Sequence, residues 1–439
     1  MTNDVANNNY HCQRELDFSK ILDNYISSIE SLYVTMPFFA QIMIKIHEKH
    51  IKDLNKIIKK YDLKKEETDT GMSITVDITI DNFHQIDREI IKIKSALKTS
   101  SHALTLIPRN LVVSLVSQYD AFLGNLLAAI YLKKPDILNL SEKNIGIKEL
   151  LLFGNIEEAK EFVIEKEIES ILREGHVKQF SILENIFKIP LTKDLPIWPI
   201  FVEFTQRRNL FVHCGGVVSS QYMKVCTENG LKADNEHKIG QNLEVSPDYL
   251  ESGFNCIFEI GVKLAHVLWR KIFPEEIELA DANLNNEIIY NLLTHENYHL
   301  AKIFADFACN TLKKHCNDVR RRMFIINQAI AYKFSGEDDT AKKILMKEDW
   351  SASDIVFKFG VEILNDNFEK AGELMKLIGT GNEWINKECY STWPLFKEFR
   401  KNDIFRNIYK EIFQQSYEQT EIVIKDDEQL KLFEKESNP

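Results

Sequence analysis

One run of the chain, Leu111 to Leu132 (LVVSLVSQYDAFLGNLLAAIYL), leaves few folding options. It is long enough to cross a bilayer. However, Gln118 and Asp120 stand near its centre, and a carboxylate at mid-membrane is expensive. The run is therefore expected to be a core helix of a water-soluble protein, with no membrane partner. A helix that is apolar on most sides has to be surrounded by others. The rest of the chain can supply them, because 439 residues contain only 16 glycines and 10 prolines, both well below average usage. With few breakers, long helices are expected nearly throughout, and the fold class is all-α.

The same pattern reading divides the chain. Residues 16–65 are expected to form one or two long helices, whose lysines fall between apolar positions and form a solvated basic face. Ser73 to Ile80 (SITVDITI) alternates polar and β-branched residues, the pattern of a strand. A lone strand is not stable, so it needs a partner, sought around Tyr222–Cys226, around Asn242–Val245 or in another chain. Further helices are expected over Pro108–Leu132, Ile156–Phe187 and Leu195 to about Cys214. Residues 220–245 form an excursion with turn signals. Ser246-Pro247, a cap followed by proline at the first helical position, starts a helix over Asp248–Ile272.

The last third changes character. Ala329–Leu345 and Gly360–Met375 place Ala341 and Ala371 at the same relative point. Phe334 matches Leu364, and the turn SGED matches NDNF. Small residues recurring where two helices touch resemble tetratricopeptide-type repeats. Two or three degenerate copies are expected, closed by a cap over Trp393–Phe405. Such stacks usually bind a peptide or another subunit. This gives three regions: 1–100, helical with a β element near 73–80; 101–275; and 280–432, the repeats.

The chemistry concentrates in Phe201 to Val218 (FVEFTQRRNLFVHCGGVV), where arginines, an asparagine and a histidine interrupt a core-forming helix before Gly215-Gly216. Burying such groups is costly unless they are paired. On a helix Asn209 and His213 lie about 40° apart and can touch, whereas Arg208 is about 140° from His213. His213 falls in the last turn, where the helix dipole favours the imidazolium, while the neighbouring arginines oppose it. A histidine titrating near neutral pH, suited to acid–base work, is the expectation. An arginine and a histidine without a carboxylate cluster suit cleavage of RNA by its own 2′-hydroxyl. The histidine moves the proton, the arginine holds the phosphate, and neither metal nor cofactor is needed. One histidine is badly placed to serve both sides of an in-line displacement, so a homodimer with a composite site is expected.

RNLFVHCGG is similar to the Arg-polar-x-x-x-His motif of the HEPN superfamily. The similarity extends over about residues 101–275, through the long helices before the motif, the HCGGVVSSQY continuation and the helix after Ser246-Pro247. This resemblance implies a helical bundle and a metal-independent endoribonuclease leaving a 2′,3′-cyclic phosphate and a 5′-hydroxyl. Members occur in toxin–antitoxin and anti-phage systems. It implies Arg208 as the phosphate-binding residue, Asn209 as the one that orients the histidine, and His213 as the acid/base. Arg207 is expected to help hold RNA, and Glu203 and Asp120 are acidic positions expected to steady the substrate side. The expected protein is cytoplasmic: a HEPN-like core with flanking regions that restrain it and bind a protein or phage trigger. The alternative is a HEPN module that has lost catalysis and serves as a scaffold or antitoxin-type binder.

His295-Glu296-Asn297-Tyr298-His299 fits the H-E-x-x-H signature of zinc proteases, with both histidines on one helix face. It lacks the Gly-x-x-His extension, and only His315 or Asp306 offers a third ligand. Surface histidines on a repeat helix are the plainer expectation. A zinc set of His213, Cys214, Cys226 and His237 matches no structural spacing. The seven cysteines (12, 214, 226, 256, 309, 316, 389) form no CxxC pair and suit free thiols in a reducing compartment. The N-terminus, MTNDVANNNY, carries no signal peptide. No phosphate-cradling GxxxxGK loop occurs, so no ATP-driven function follows. With a net charge of −11, any nucleic-acid site must be local. Arg320-Arg321-Arg322 is expected to be a salt-bridged face.

Overall fold

The computed structural model describes residues 16–68, 71–75, 80–140, 146, 150, 153–231, 238–381 and 384–417. The chain divides into two compact units, Met1–Ala280 and Asp281–Pro439. The boundary expected at residue 100 falls inside a continuous helix, so the first two expected regions form one unit.

The first unit opens with α1 (Phe18–Lys60), capped by Asp17, whose side chain accepts from the Ser19 amide at 2.8 Å. After a short hairpin comes α2 (Ile80–Lys133). Each helix passes through a proline, Pro37 and Pro108, where the ladder loses one donor without ending. The expected start at Pro108 is thus an interior point of α2. The hairpin pairs β1 (Lys64–Thr68) with β2 (Gly71–Thr75), antiparallel, from Lys64 opposite Thr75 to Thr68 opposite Gly71. The expected strand is half right. Ser73–Thr75 belong to β2, Ile80 begins α2, and residues 76–79 lie outside the described residues. Its partner is the adjacent KKEET rather than either of the distant segments proposed for it. Asn242 makes only an isolated bridge to Val217.

The helix expected over Ile156–Phe187 is two, α3 (Ile156–Leu172) and α4 (His176–Phe187), because Gly175 caps the second. Gln179 ties the break by donating to the Leu172 and Glu174 carbonyls. Then follow α5 (Trp198–His213), α6 (Ser220–Glu228) and α7 (Pro247–Ile272), the last with Ser246 as its cap and Pro247 at its start, as the sequence indicates.

Helix α2 packs against α1, α3, α5 and α7. Its apolar run is the centre of the unit. Val112, Val116, Leu123, Leu126 and Leu127 are wholly buried, as are Phe201 of α5 and Ile257 of α7. Tyr25 of α1 stacks on Phe122 at 4.2 Å and donates to the Ile257 carbonyl at 2.6 Å, fixing the root of α1. Gly261 of α7 makes room for that tyrosine, whose ring a Cβ would overlap. Farther along α1, Val34, Phe38, Phe39 and Ile42 are exposed. By length and composition α1 and α2 could each cross a membrane, but half of the most apolar stretch of α2 is buried within the unit.

In the second unit α8 (Ile277–Ala282), which begins in the first, leads through a π-helical segment, Asn283–Ile289, into α9 (Tyr290–Thr294) and α10 (Tyr298–Asp306). Next come α11 (Asp318–Phe334), α12 (Asp338–Met346), α13 (Ile355–Leu364), α14 (Phe368–Ile378), α15 (Lys387–Thr392) and α16 (Asp403–Phe413). Three helix corners share one geometry. A residue at positive φ (Glu296 59°, Gly336 85°, Asp366 62°) sits between the helices of each pair. The next residue's amide reaches back to the first helix, Asn297 to Leu292, Glu337 to Tyr332 and Asn367 to Glu362, at 2.8 to 3.0 Å. Each corner is followed by a buried alanine, Ala301, Ala341 or Ala371, at 0, 1 and 0% exposure. The unit therefore contains three related helical pairs. The first was hidden because its corner carries Glu296 rather than glycine or aspartate.

That corner overturns the zinc-protease alternative. His295 ends α9, Glu296 occupies a left-handed turn, and His299 belongs to α10, so no single helix presents both histidines. His295 Nδ1 is bonded to the Asn291 carbonyl, and Glu296 pairs with Lys397 at 2.7 Å. His315 is held by Asp281 and the Ala308 carbonyl, and Asp306 accepts from Gln328 and Tyr332. In the arginine run, Arg321 grips Glu348 with both terminal nitrogens at 2.8 and 2.7 Å, and Arg322 pairs with Asp318. The guanidinium of Arg320 touches the Met323 sulfur at 3.7 Å.

Candidate active site

Helix α5 needs three supports because it carries so many polar groups. The first is deep. Glu203, 6% exposed, accepts from Arg207 Nε at 2.6 Å, Tyr222 at 2.6 Å and Tyr249 at 2.9 Å. Arg207 also donates to the Glu244 carbonyl and lies 3.9 Å over the Tyr249 ring. Burial, then the Glu203 carboxylate, pushes the hydroxyls of both tyrosines above the ordinary pKa, so they remain donors. Arg207 and Glu203 are therefore not substrate groups. At 6% exposure Arg207 is turned away from solvent, and with Glu203 it joins α5 to α6 and α7.

The second support is Asp120 of α2. Its Oδ2 accepts from Arg208 Nη2 at 2.8 Å and its Oδ1 is 2.9 Å from His176 Nε2 of α4. His176 is buried, while the Arg208 side chain keeps 22% of its surface exposed. Arg208 Nη1 donates to Asn209 Oδ1 at 3.0 Å. Asn209 thus serves the arginine, and the expected contact from Asn209 to His213 is not made. Asp120 thus anchors the Arg208 guanidinium. A guanidinium has five N–H donors, and these two bonds engage only part of that set. Its Nε is buried without a partner.

The third support closes the helix. Cys214 and Gly216 amides both bond the Leu210 carbonyl, at 2.8 and 3.0 Å, and Gly215 and Gly216 take φ of 59° and 90°. A Cβ on Gly216 would stand 2.9 Å from Asn242 Oδ1 and 3.2 Å from Arg109. Arg109 of α2 clamps this turn, donating to the Gly215 carbonyl, Asn242 Oδ1 and the Leu243 carbonyl at 2.9 to 3.1 Å. A small cluster of Leu210, Val218, Tyr222, Cys226 and Leu243 packs beneath it. His213 stands exposed on the last turn of α5, just before this clamp.

Two contributors escaped the sequence reading. Arg109 follows Pro108 inside the apolar helix, and His176 follows the breaker Gly175. A lone polar residue on a core helix was the available signal for both, but nothing local names the partner. The zinc set also fails. Cys214 is exposed and Cys226 is buried, so they face different surroundings, and His237 lies outside the described residues.

Fold and site together define a helical bundle presenting an anchored arginine and an exposed histidine from one helix. In comparison with known proteins, no family model, no curated protein and no solved structure matches this chain.

Proposed function

We propose that the first unit is a metal-independent endoribonuclease of the HEPN type, acting as a homodimer. His213 takes the proton from a ribose 2′-hydroxyl, and the freed oxygen attacks the adjacent phosphorus. The 5′-oxygen leaves with a proton from His213 of the partner subunit. Arg208, through N–H donors that Asp120 and Asn209 leave open, neutralises the charge gathering on the phosphoryl oxygens. The products are a 2′,3′-cyclic phosphate and a 5′-hydroxyl. The observation that carries this reading is the contrast within one helix. Arg207 is buried against Glu203, while Arg208 and His213 of the same segment reach solvent. Such an activity would harm its own cytoplasm unless restrained, as in toxin or anti-phage systems, and the helical pairs of the second unit are the natural place for a trigger to bind.

The test is to incubate the protein with total RNA in EDTA and map the ends. Cleavage is expected to persist in EDTA and to fall by at least about 100-fold in His213→Ala and in Arg208→Ala. Loss of cleavage in EDTA, or survival in both variants, refutes the reading. A second reading is a scaffold without catalysis, favoured by the Asp120 carboxylate that already pairs Arg208. It predicts no cleavage by the wild type at any concentration.

A further inference from the structure

The second unit contains a cavity of about 280 Å³, near the lower bound of about 300 Å³ usual for small-ligand sites. Its lining is chemically lopsided. Tyr290, Phe357, Trp384 and Trp393 supply rings, and among the described residues Arg320 supplies the one formal charge and no carboxylate takes part.

Two polar atoms of the lining are unsatisfied among the described residues. Asn327, 4% exposed, spends its amide on Asn285 Oδ1 at 3.0 Å, which leaves its own Oδ1 buried without a donor. Trp393 Nε1 is buried without an acceptor. Each such atom costs about 1–3 kcal/mol until a partner arrives. Asn285 in turn donates to Asn286, and both lie on the π-helical segment Asn283–Ile289. Such irregular turns concentrate at functional sites. Among the described residues the Arg320 guanidinium has the sulfur contact alone, whereas Arg321 and Arg322 beside it are ion-paired.

We propose that this cavity binds a nucleoside monophosphate. The rings stack on the base and Arg320 takes the phosphate. A half-open pocket of this volume holds one compact group. An extended peptide needs a groove running along the stack.

The test is calorimetric titration of the full chain carrying His213→Ala, so that RNA turnover plays no part, with AMP, GMP, CMP and UMP in turn. At least one is expected to bind with one-to-one stoichiometry. The matching nucleoside and inorganic phosphate should each bind at least about tenfold more weakly. Arg320→Gln is expected to weaken the nucleotide about tenfold and leave the nucleoside unchanged. That variant should melt at the wild-type temperature without ligand. No heat from any of the four at millimolar concentration, or nucleotide affinity equal in Arg320→Gln, overturns the proposal. Capture of an acidic peptide with no nucleotide binding also overturns it. Because the readout is binding, failure of the ribonuclease reading leaves this result intact.

Discussion

Asp120 joins three helices through two oxygens, one on Arg208 and one on His176. Its neutral amide analogue keeps the shape and removes the charge that holds the guanidinium. Asp120→Asn is therefore expected to lower the rate of RNA cleavage by about 10- to 100-fold, the scale of one charged hydrogen bond, with circular dichroism unchanged. A rate equal to wild type would show that Arg208 needs no anchor. Cysteines offer a second residue-scale check. Burial, then the nearby Glu203 carboxylate, pushes the Cys226 thiol up to about 12, so at pH 8 it holds almost no reactive thiolate. Cys214 is exposed beside His213. Iodoacetamide at pH 8 should label Cys214 first and spare Cys226 until denaturant is added, and the labelled protein should lose cleavage because the adduct crowds His213. Mass spectrometry showing Cys226 labelled as fast as Cys214 would contradict this. At this scale the grouping of Arg208, Asn209 and His213 within six consecutive residues was legible, but the bond from Arg208 to Asn209, made in place of the expected Asn209–His213 contact, was not. The split between Arg207 and Arg208 was not legible, because which of two adjacent arginines turns inward depends on Glu203, Tyr249 and Glu244, which lie up to 42 positions away.

Single glycines of α7 allow two close approaches in the first unit, Gly261 to Tyr25 and Gly253 to Phe204. Gly253 of α7 faces Phe204 of α5, and a Cβ there would overlap the ring. Phe204 is 1% exposed and cannot swing out. Gly253→Ala is expected to destabilise the first unit by about 1–3 kcal/mol despite the better helix propensity of alanine. Thermal unfolding measures it, and a stabilised variant would mean that propensity outweighs the clash. The sequence marked α7 correctly because its cap, Ser246-Pro247, is a local signal. It marked the long helices α1 and α2 too short or uncertain because prolines normally end helices; the burial that carries α2 through Pro108 is a tertiary effect. The repeats show the same limit. Gly336 and Asp366 announced their corners, but Glu296 did not, since a left-handed glutamate is rare. Its neighbours happened to spell a metal motif, and only the backbone revealed a turn.

On the scale of the whole molecule, the proposed cleavage asks for two histidines on opposite sides of one phosphate, while each chain offers one His213. Exposure of that residue at a helix end fits a site completed by a second copy, and the idea can be tested by mixing. His213→Ala and Arg208→Ala chains are each expected to be inactive alone. If each site is confined to one chain, every site in the mixture still lacks one of the two groups, and mixing restores nothing. If one site is shared, a mixed dimer keeps one histidine and one arginine in the same cleft. Co-refolding the two variants should then recover cleavage above either parent. It should remain below wild type by roughly 100-fold, the worth of one missing acid–base partner. Light scattering should report a dimer of the 51.1 kDa chain in the same samples. Recovery would also fix the geometry: the arginine of one protomer must lie within reach of the histidine of the other. A dimer with no recovery would mean that pairing of the chains serves something other than the cleavage site, and a monomer with full wild-type activity would require a second acid from within the same chain.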